Sequence, residues 1–176
     1  GDGLRCLVGE QLDDDRAGWR AADVLAICLC YLGHPEQGLP MLVAATNRAP
    51  DRTGVADRLR PYVLLSDALN TLGRRSEALQ VARSGLALAS QLGMDRGVGT
   101  VLSGNAAEIL LIVGDWAAAD DTLAAALRLG GAFWDYHLHR LRAQLAVGRG
   151  DFDLARHHLA AGPIAADHPN SAHYYF

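Results

Sequence analysis

Four segments of the sequence share one layout around a glycine: Leu32-Gly33-His34, Leu72-Gly73-Arg74, Val113-Gly114-Asp115 and Arg149-Gly150-Asp151, spaced 40, 41 and 36 residues apart. A period of that length points to a stack of like units, each too small to bury its own apolar face. The positions around the glycines repeat as well. Five residues after each stands Gly38, Ala78, Ala119 or Ala155; twelve after, Ala45, Gly85, Ala126 or Gly162; seven before, Ala26, Ser66, Ala107 or Ala143. Small side chains at fixed offsets on both sides of a turn are what two closely crossing helices require, because only Gly, Ala or Ser lets the backbones approach. Larger residues are expected to fill the space between, with Leu25, Leu29, Leu65, Leu69 and Leu110 before the turns and Leu42, Leu123 and Leu159 after them.

The 3.6-residue periodicity and the helix breakers predict helices near 17–32, 39–48, 57–72, 76–92, 98–113, 116–129, 134–148 and 152–161. Pro40, suited to a first turn, sets the start of the second near Leu39, and Pro61 is placed near the start of the third. Asp151 and Ser76 are candidate N-caps, while Gly93 and Gly130-Gly131 end helices.

A small residue late in a first helix, a turn glycine, and alanine five and twelve residues on are also the layout of the tetratricopeptide family, which the chain resembles over residues 19 to 162. The resemblance implies an all-α fold, a right-handed α-solenoid of about four TPR-like hairpins with repeats at 17–50, 57–93, 98–130 and 134–162 in a single domain spanning 1–176. The sequence departs from that family in its longer period and in lacking most of its large aromatics. Residues 4–12 read as the tail of a preceding helix and Ser171 to Phe176 as the first turn of another, so the chain is expected to be a fragment of a longer one.

The chemistry of the sequence narrows function mainly by exclusion. All 16 basic residues are arginines and the formal charge is −4, which leaves no field for a polyanion, so direct nucleic-acid binding is not expected. A Walker loop cannot be complete in a chain without lysine. Gly97-Val98-Gly99-Thr100 opens a helix and is the one stretch where an anion could meet a helix N-terminus. His137-Leu-His139, His157-His158 and Cys28-Leu-Cys30 are the histidine and cysteine clusters; residues two apart on a helix point about 200° apart, so neither x-spaced pair chelates one ion alone. They read as groove or solvated histidines and core cysteines. Asp13-Asp14-Asp15 lacks the spacing of a calcium loop and reads as a solvated turn with a helix N-cap. Neither a nucleophile elbow nor a catalytic dyad is recognisable. The expectation is a non-enzyme without metal or cofactor in this segment.

The three cysteines do not form a disulfide framework, the apolar run from Val24 to Leu32 is far below the ~20 residues of a membrane span, and a signal-peptide layout is missing, which fits a cytoplasmic protein, while arginine without lysine and the alanine and glycine load suggest a G+C-rich, bacterial genome. In the tetratricopeptide family the concave groove is lined by first helices. Carrying those places across relative to the turn glycines gives Arg20, Asp23 and Tyr31, then Arg60, Asp67 and Asn70, then Glu108, then His137, Arg140 and Gln144. The same residues also fit the solvated stripe of amphipathic helices. The places that a carboxylate clamp fills with lysine and asparagine hold Asp23, Ile27, Leu64 and Val101, with Asn105 alone similar, which disfavours acidic chaperone tails.

Phrases such as Ala78-Leu-Gln-Val-Ala-Arg-Ser-Gly-Leu-Ala-Leu-Ala89 and Gly114-Asp-Trp-Ala-Ala-Ala-Asp120 resemble the helical region of large ATP-dependent transcription regulators of the LuxR type. That resemblance implies a sensor or oligomerisation arm, whose partner is a protein, a second copy or a small-molecule inducer. An adaptor that takes a peptide or helix of a partner protein is the alternative.

Overall fold

A computed structural model describes residues 16–48, 54–129 and 135–161, and among them the chain is all-α. Eight helices follow one another: α1 Arg16–Tyr31, α2 Pro35–Thr46, α3 Val55–Thr71, α4 Arg75–Gln91, α5 Val98–Val113, α6 Trp116–Leu129, α7 Asp135–Gly148 and α8 Phe152–Ala161. The expected helix tail at 4–12, the Asp13-Asp14-Asp15 turn, Gly130-Gly131, Gly162 and the 171–176 segment lie outside the described residues.

The four aligned glycines make one turn four times. Gly33, Gly73, Gly114 and Gly150 all take positive φ, between 76° and 88°, a conformation that costs any residue with a Cβ. At each, the amide of the following residue reaches back to the carbonyl five positions earlier: His34 to Leu29, Arg74 to Leu69, Asp115 to Leu110 and Asp151 to Ala146, at 2.8 to 3.0 Å. The glycine amides close the inner bond, to Cys30, Asn70, Leu111 and Val147, so the last carbonyls of each helix are satisfied within the turn. The next helix starts at once. Asp115 and Asp151 cap α6 and α8, their Oδ1 atoms accepting from the amides of Ala118 at 3.1 Å and Leu154 at 2.9 Å.

Three expectations are corrected at the helix starts. The second helix begins at Pro35, not Leu39: Pro35 is the first-turn proline, and Pro40 lies inside α2 with its ring on the exposed side. Pro61 falls in the second turn of α3, which already starts at Val55. Ser76 is a helical residue rather than a cap, because α4 begins at Arg75, and Arg74 pairs with Glu77 at 2.6 Å there.

Successive helices pair into hairpins α1–α2, α3–α4, α5–α6 and α7–α8, each second helix packs on the first helix of the next hairpin, and the first helices α1, α3, α5 and α7 touch in series. All eleven described small residues at the three repeating offsets are buried. The crossing in the first hairpin leaves no room for a side chain, since a Cβ built on Gly38 would lie 2.3 Å from the Ala26 carbonyl oxygen and 2.6 Å from Cys30 Sγ.

Leucines fill the interior between these crossings, with Leu42, Leu59, Leu102, Leu123, Leu138 and Leu141 fully buried. Each contributes about 1.5–3 kcal/mol of transfer free energy. The core thins along the chain: the cluster around α1 to α4 includes Leu42, Leu65 and Leu69, whereas the cluster joining α7 to α8 consists of Ala143, Ala146 and Ala155. Two leucines expected inside are not. Leu25 is 42 % exposed and Leu159 58 %, because α1 and α8 each lack a neighbour on one flank among the described residues. Among the described residues no helix is long and apolar enough to cross a membrane.

Candidate binding face on the first helices

The ten residues proposed from sequence divide into those the fold consumes and those it leaves presented. Asp23 belongs to the first group. It is 2 % exposed and held by both Nη atoms of Arg48, at 2.6 and 3.0 Å, a bidentate pair that ties the end of α2 back to α1. The Arg48 guanidinium also lies 5.7 Å from the centre of the Trp19 ring. Arg20 bridges α1 to α3 through Nε and Asp57 Oδ1 at 2.7 Å, with half of its side chain still in solvent. Both residues therefore act mainly as struts.

Tyr31, Asp67, Glu108, Arg140 and His137 form a second group, a polar strip that crosses α1, α3, α5 and α7 in order. The Tyr31 hydroxyl on α1 donates to Asp67 Oδ2 on α3. Asp67 and Glu108 occupy the same place in neighbouring repeats, six residues before Gly73 and Gly114, on helices that touch. Both are half-buried, and burial pushes both carboxyls above the usual range: the Tyr31 bond opposes it at Asp67, while at Glu108 the Arg140 charge opposes it and the Asp67 charge adds to it. Burial, followed by the adjoining Asp67 carboxylate, pushes the Tyr31 phenol well up.

Beyond Glu108, Arg140 Nη2 lies 3.3 Å from His137 Nδ1, so a neutral His137 accepts from the guanidinium. Burial, and then the Arg140 charge, hold His137 down at about 4. Its ring sits against Gly104 of α5, where a Cβ would come within 2.7 Å of Cδ2.

Two further groups are left unsatisfied on α3. Arg60 Nε and Asn70 Oδ1 are buried atoms without a hydrogen-bond partner among the described residues. Gln144 on α7 is exposed.

Several functional-looking features of the sequence resolve into structure. Asn105, the one clamp-like asparagine, donates to the Val63 carbonyl at 3.2 Å and to Ser66 Oγ at 2.9 Å, pinning α5 to α3. In the glycine stretch at the start of α5, three of the four amides are already engaged: Gly97 and Gly99 donate to the Met94 carbonyl and Thr100 donates to that of Gly97. Cys30 is buried but Cys28 is exposed, so only one of the pair is a core cysteine. Among the described residues no group of three or more His, Cys, Asp or Glu side chains is arranged to hold a metal ion.

Sequence reasoning missed the side-chain bonds between helices. Asp120 on α6 receives both Arg142 and Arg149 at 2.8 Å. His139 and His158 meet at 3.0 Å between their Nδ1 atoms, one imidazole drawn from each of the two histidine clusters. The signal available for some of them was separation: Arg20–Asp57, Tyr31–Asp67 and Ser66–Asn105 lie 37, 36 and 39 residues apart, close to one repeat. Comparisons with protein families, with curated proteins and with solved structures found no match to this chain.

Proposed function

We propose that this chain is a non-catalytic binding segment, a right-handed solenoid of four TPR-like hairpins whose inner face is the strip from Tyr31 to Arg140. In this reading it is the sensor or oligomerisation arm of a larger regulator of the LuxR type, acting in the cytoplasm. Its partner is a protein, a second copy or a small-molecule inducer.

The observation that supports a binding role is the incomplete pairing on α3, where Arg60 Nε and Asn70 Oδ1 are buried without a hydrogen-bond partner among the described residues, while on α5 Glu108 is half-buried between the charges of Arg140 and Asp67. Buried polar groups left without partners cost about 1–3 kcal/mol each, and a ligand that supplies the missing bonds recovers that. A face built only to be solvated would turn these groups outward. The serial contact of first helices supports the solenoid, and the repeated phrases support the regulator setting.

Two measurements test the proposal. In the native gene, a P-loop domain before this segment and a helix-turn-helix after it support the regulator setting, and the lack of both refutes it. In the intact protein, Glu108→Ala with Arg140→Ala abolishes inducer response or self-association at unchanged helicity. If both activities survive the double change, the first-helix face is not the binding face.

A further inference from the structure

The last described hairpin is held together differently from the others. Its apolar contacts come from Ala143, Ala146 and Ala155, while Phe152, Leu154 and Leu159 of α8 stand largely in solvent. Alanine burial contributes little per residue. Against that thin core stands one polar contact, His139 Nδ1 on α7 to His158 Nδ1 on α8 at 3.0 Å, with the His158 ring buried.

A hydrogen bond between two imidazole nitrogens needs one N–H and one lone pair. The contact therefore exists only while at least one of the two Nδ1 atoms is bare. When both rings are imidazolium, both atoms carry hydrogens and two cations face each other. We propose that this contact is an acid-released latch: it ties α8 to α7 while at most one ring is charged, and a second proton separates the helices.

The surroundings set the direction of the response. Arg142 on α7 faces both rings, and His157 on α8 lies against His158 with ring centres 5.5 Å apart, so both oppose a further positive charge. Asp135 on α7 favours a proton on His139, and Asp120 on α6 favours one on His158, but Asp120 is already engaged by Arg142 and Arg149. Burial is the largest influence on each ring and holds both below the ordinary histidine value. The neutral arrangement thus belongs to the closed hairpin and the doubly charged one to the open hairpin. Two imidazoles without a third ligand make a poor metal site, which leaves the proton as the agent.

Amide hydrogen exchange of the full chain, corrected for intrinsic rates, reads the latch directly. Between pH 7.5 and 5.0 protection of the α8 amides falls about tenfold for each unit by which opening raises the histidine pKa values, while α1 and α2 keep theirs. His139→Asn, which places an uncharged amide near the Nδ1 position and retains His137 and His157, reduces that pH dependence to the part that the burial of His158 supplies. Equal loss in the variant and the wild type overturns the proposal, as does unchanged α8 protection in the wild type. Should the variant fail to fold at pH 7.5, imidazole NMR titration of the wild type decides. Coupled curves, with one ring resisting protonation until α8 opens, support the latch; two independent curves near 6.5 overturn it.

Discussion

Replacing Gly38 by alanine pits two effects of opposite sign against each other. Gly38 lies inside α2, where alanine is the better helix former by about 1 kcal/mol. The added Cβ, however, would stand 2.3 Å from the Ala26 carbonyl oxygen and 2.6 Å from Cys30 Sγ. Neither obstacle yields cheaply: the oxygen belongs to the backbone of α1, and Cys30 is buried. Reaching ordinary contact distance requires α1 and α2 to part by about 1 Å, which opens the packing along the whole crossing. Overpacking of this kind costs about 1–3 kcal/mol, and a backbone obstacle puts it at the upper end. The net expectation is a loss of about 1–2 kcal/mol, equivalent to a melting temperature lower by about 2–8 °C for a chain of this size. Urea unfolding followed by circular dichroism at 222 nm reads it as a lower midpoint at unchanged slope. Gly85→Ala is the internal comparison, since its Cβ meets Tyr62 Cβ at 2.8 Å and the Leu102 methyls at 3.0 Å, and a smaller loss is expected. Should Gly38→Ala match or exceed wild-type stability, the first hairpin does not cross more closely than the others, which carry alanine at this place.

Ala119→Leu introduces a branched side chain at a fully buried crossing and is expected to destabilise by about 1–3 kcal/mol in the same urea experiment; a neutral result would undermine the repeat alignment. Arg48→Ala leaves Asp23 buried without its bidentate partner and is expected to lower stability by about 3 kcal/mol, whereas a change below about 1 kcal/mol would mean that water replaces the guanidinium. His137 gives a pH dependence. Its folded value of about 4 lies below the ordinary 6.5, so the unfolded chain binds more protons between those values, and stability present above 6.5 is lost as pH falls towards 4. A gap of that size corresponds to about 3 kcal/mol. His137→Gln should flatten part of the acid side of a melting-temperature profile, and an identical slope in the variant would count against a buried neutral ring.

What the sequence made legible was the part governed by local rules. Turn glycines and the small residues around them were identifiable because positive φ and close helix crossings each admit few residue types, and the helices at 98–113, 116–129 and 152–161 fall where the breakers place them. Pro40 misled because proline at a first turn and proline one turn later read alike until Pro35 is recognised as the true first-turn residue. The candidate face was only half legible. Spacing from the glycines put Asp67 and Glu108 at the same register of touching helices, but whether a polar residue there is spent depends on a partner on another element. Asp23 reads like Asp67 in sequence, yet Arg48 holds the first in a buried bidentate pair and the Tyr31 hydroxyl donates to the second. The histidine pair was invisible because His139 and His158 lie 19 residues apart in two separate clusters, and only the α7–α8 packing brings them together.

The contacts of this fold run almost entirely between neighbours in the series. A disturbance at Tyr31 therefore reaches His137 only through the helices between them, among them α3 with Asp67 and α5 with Glu108. If the serial contacts act as a solenoid, they form a row of coupled hinges, in which small rotations at each first-helix contact add along the row. A ligand that draws Asp67 and Glu108 together would change the pitch at one joint and displace everything beyond it, so that the far end moves most while its own contacts stay intact.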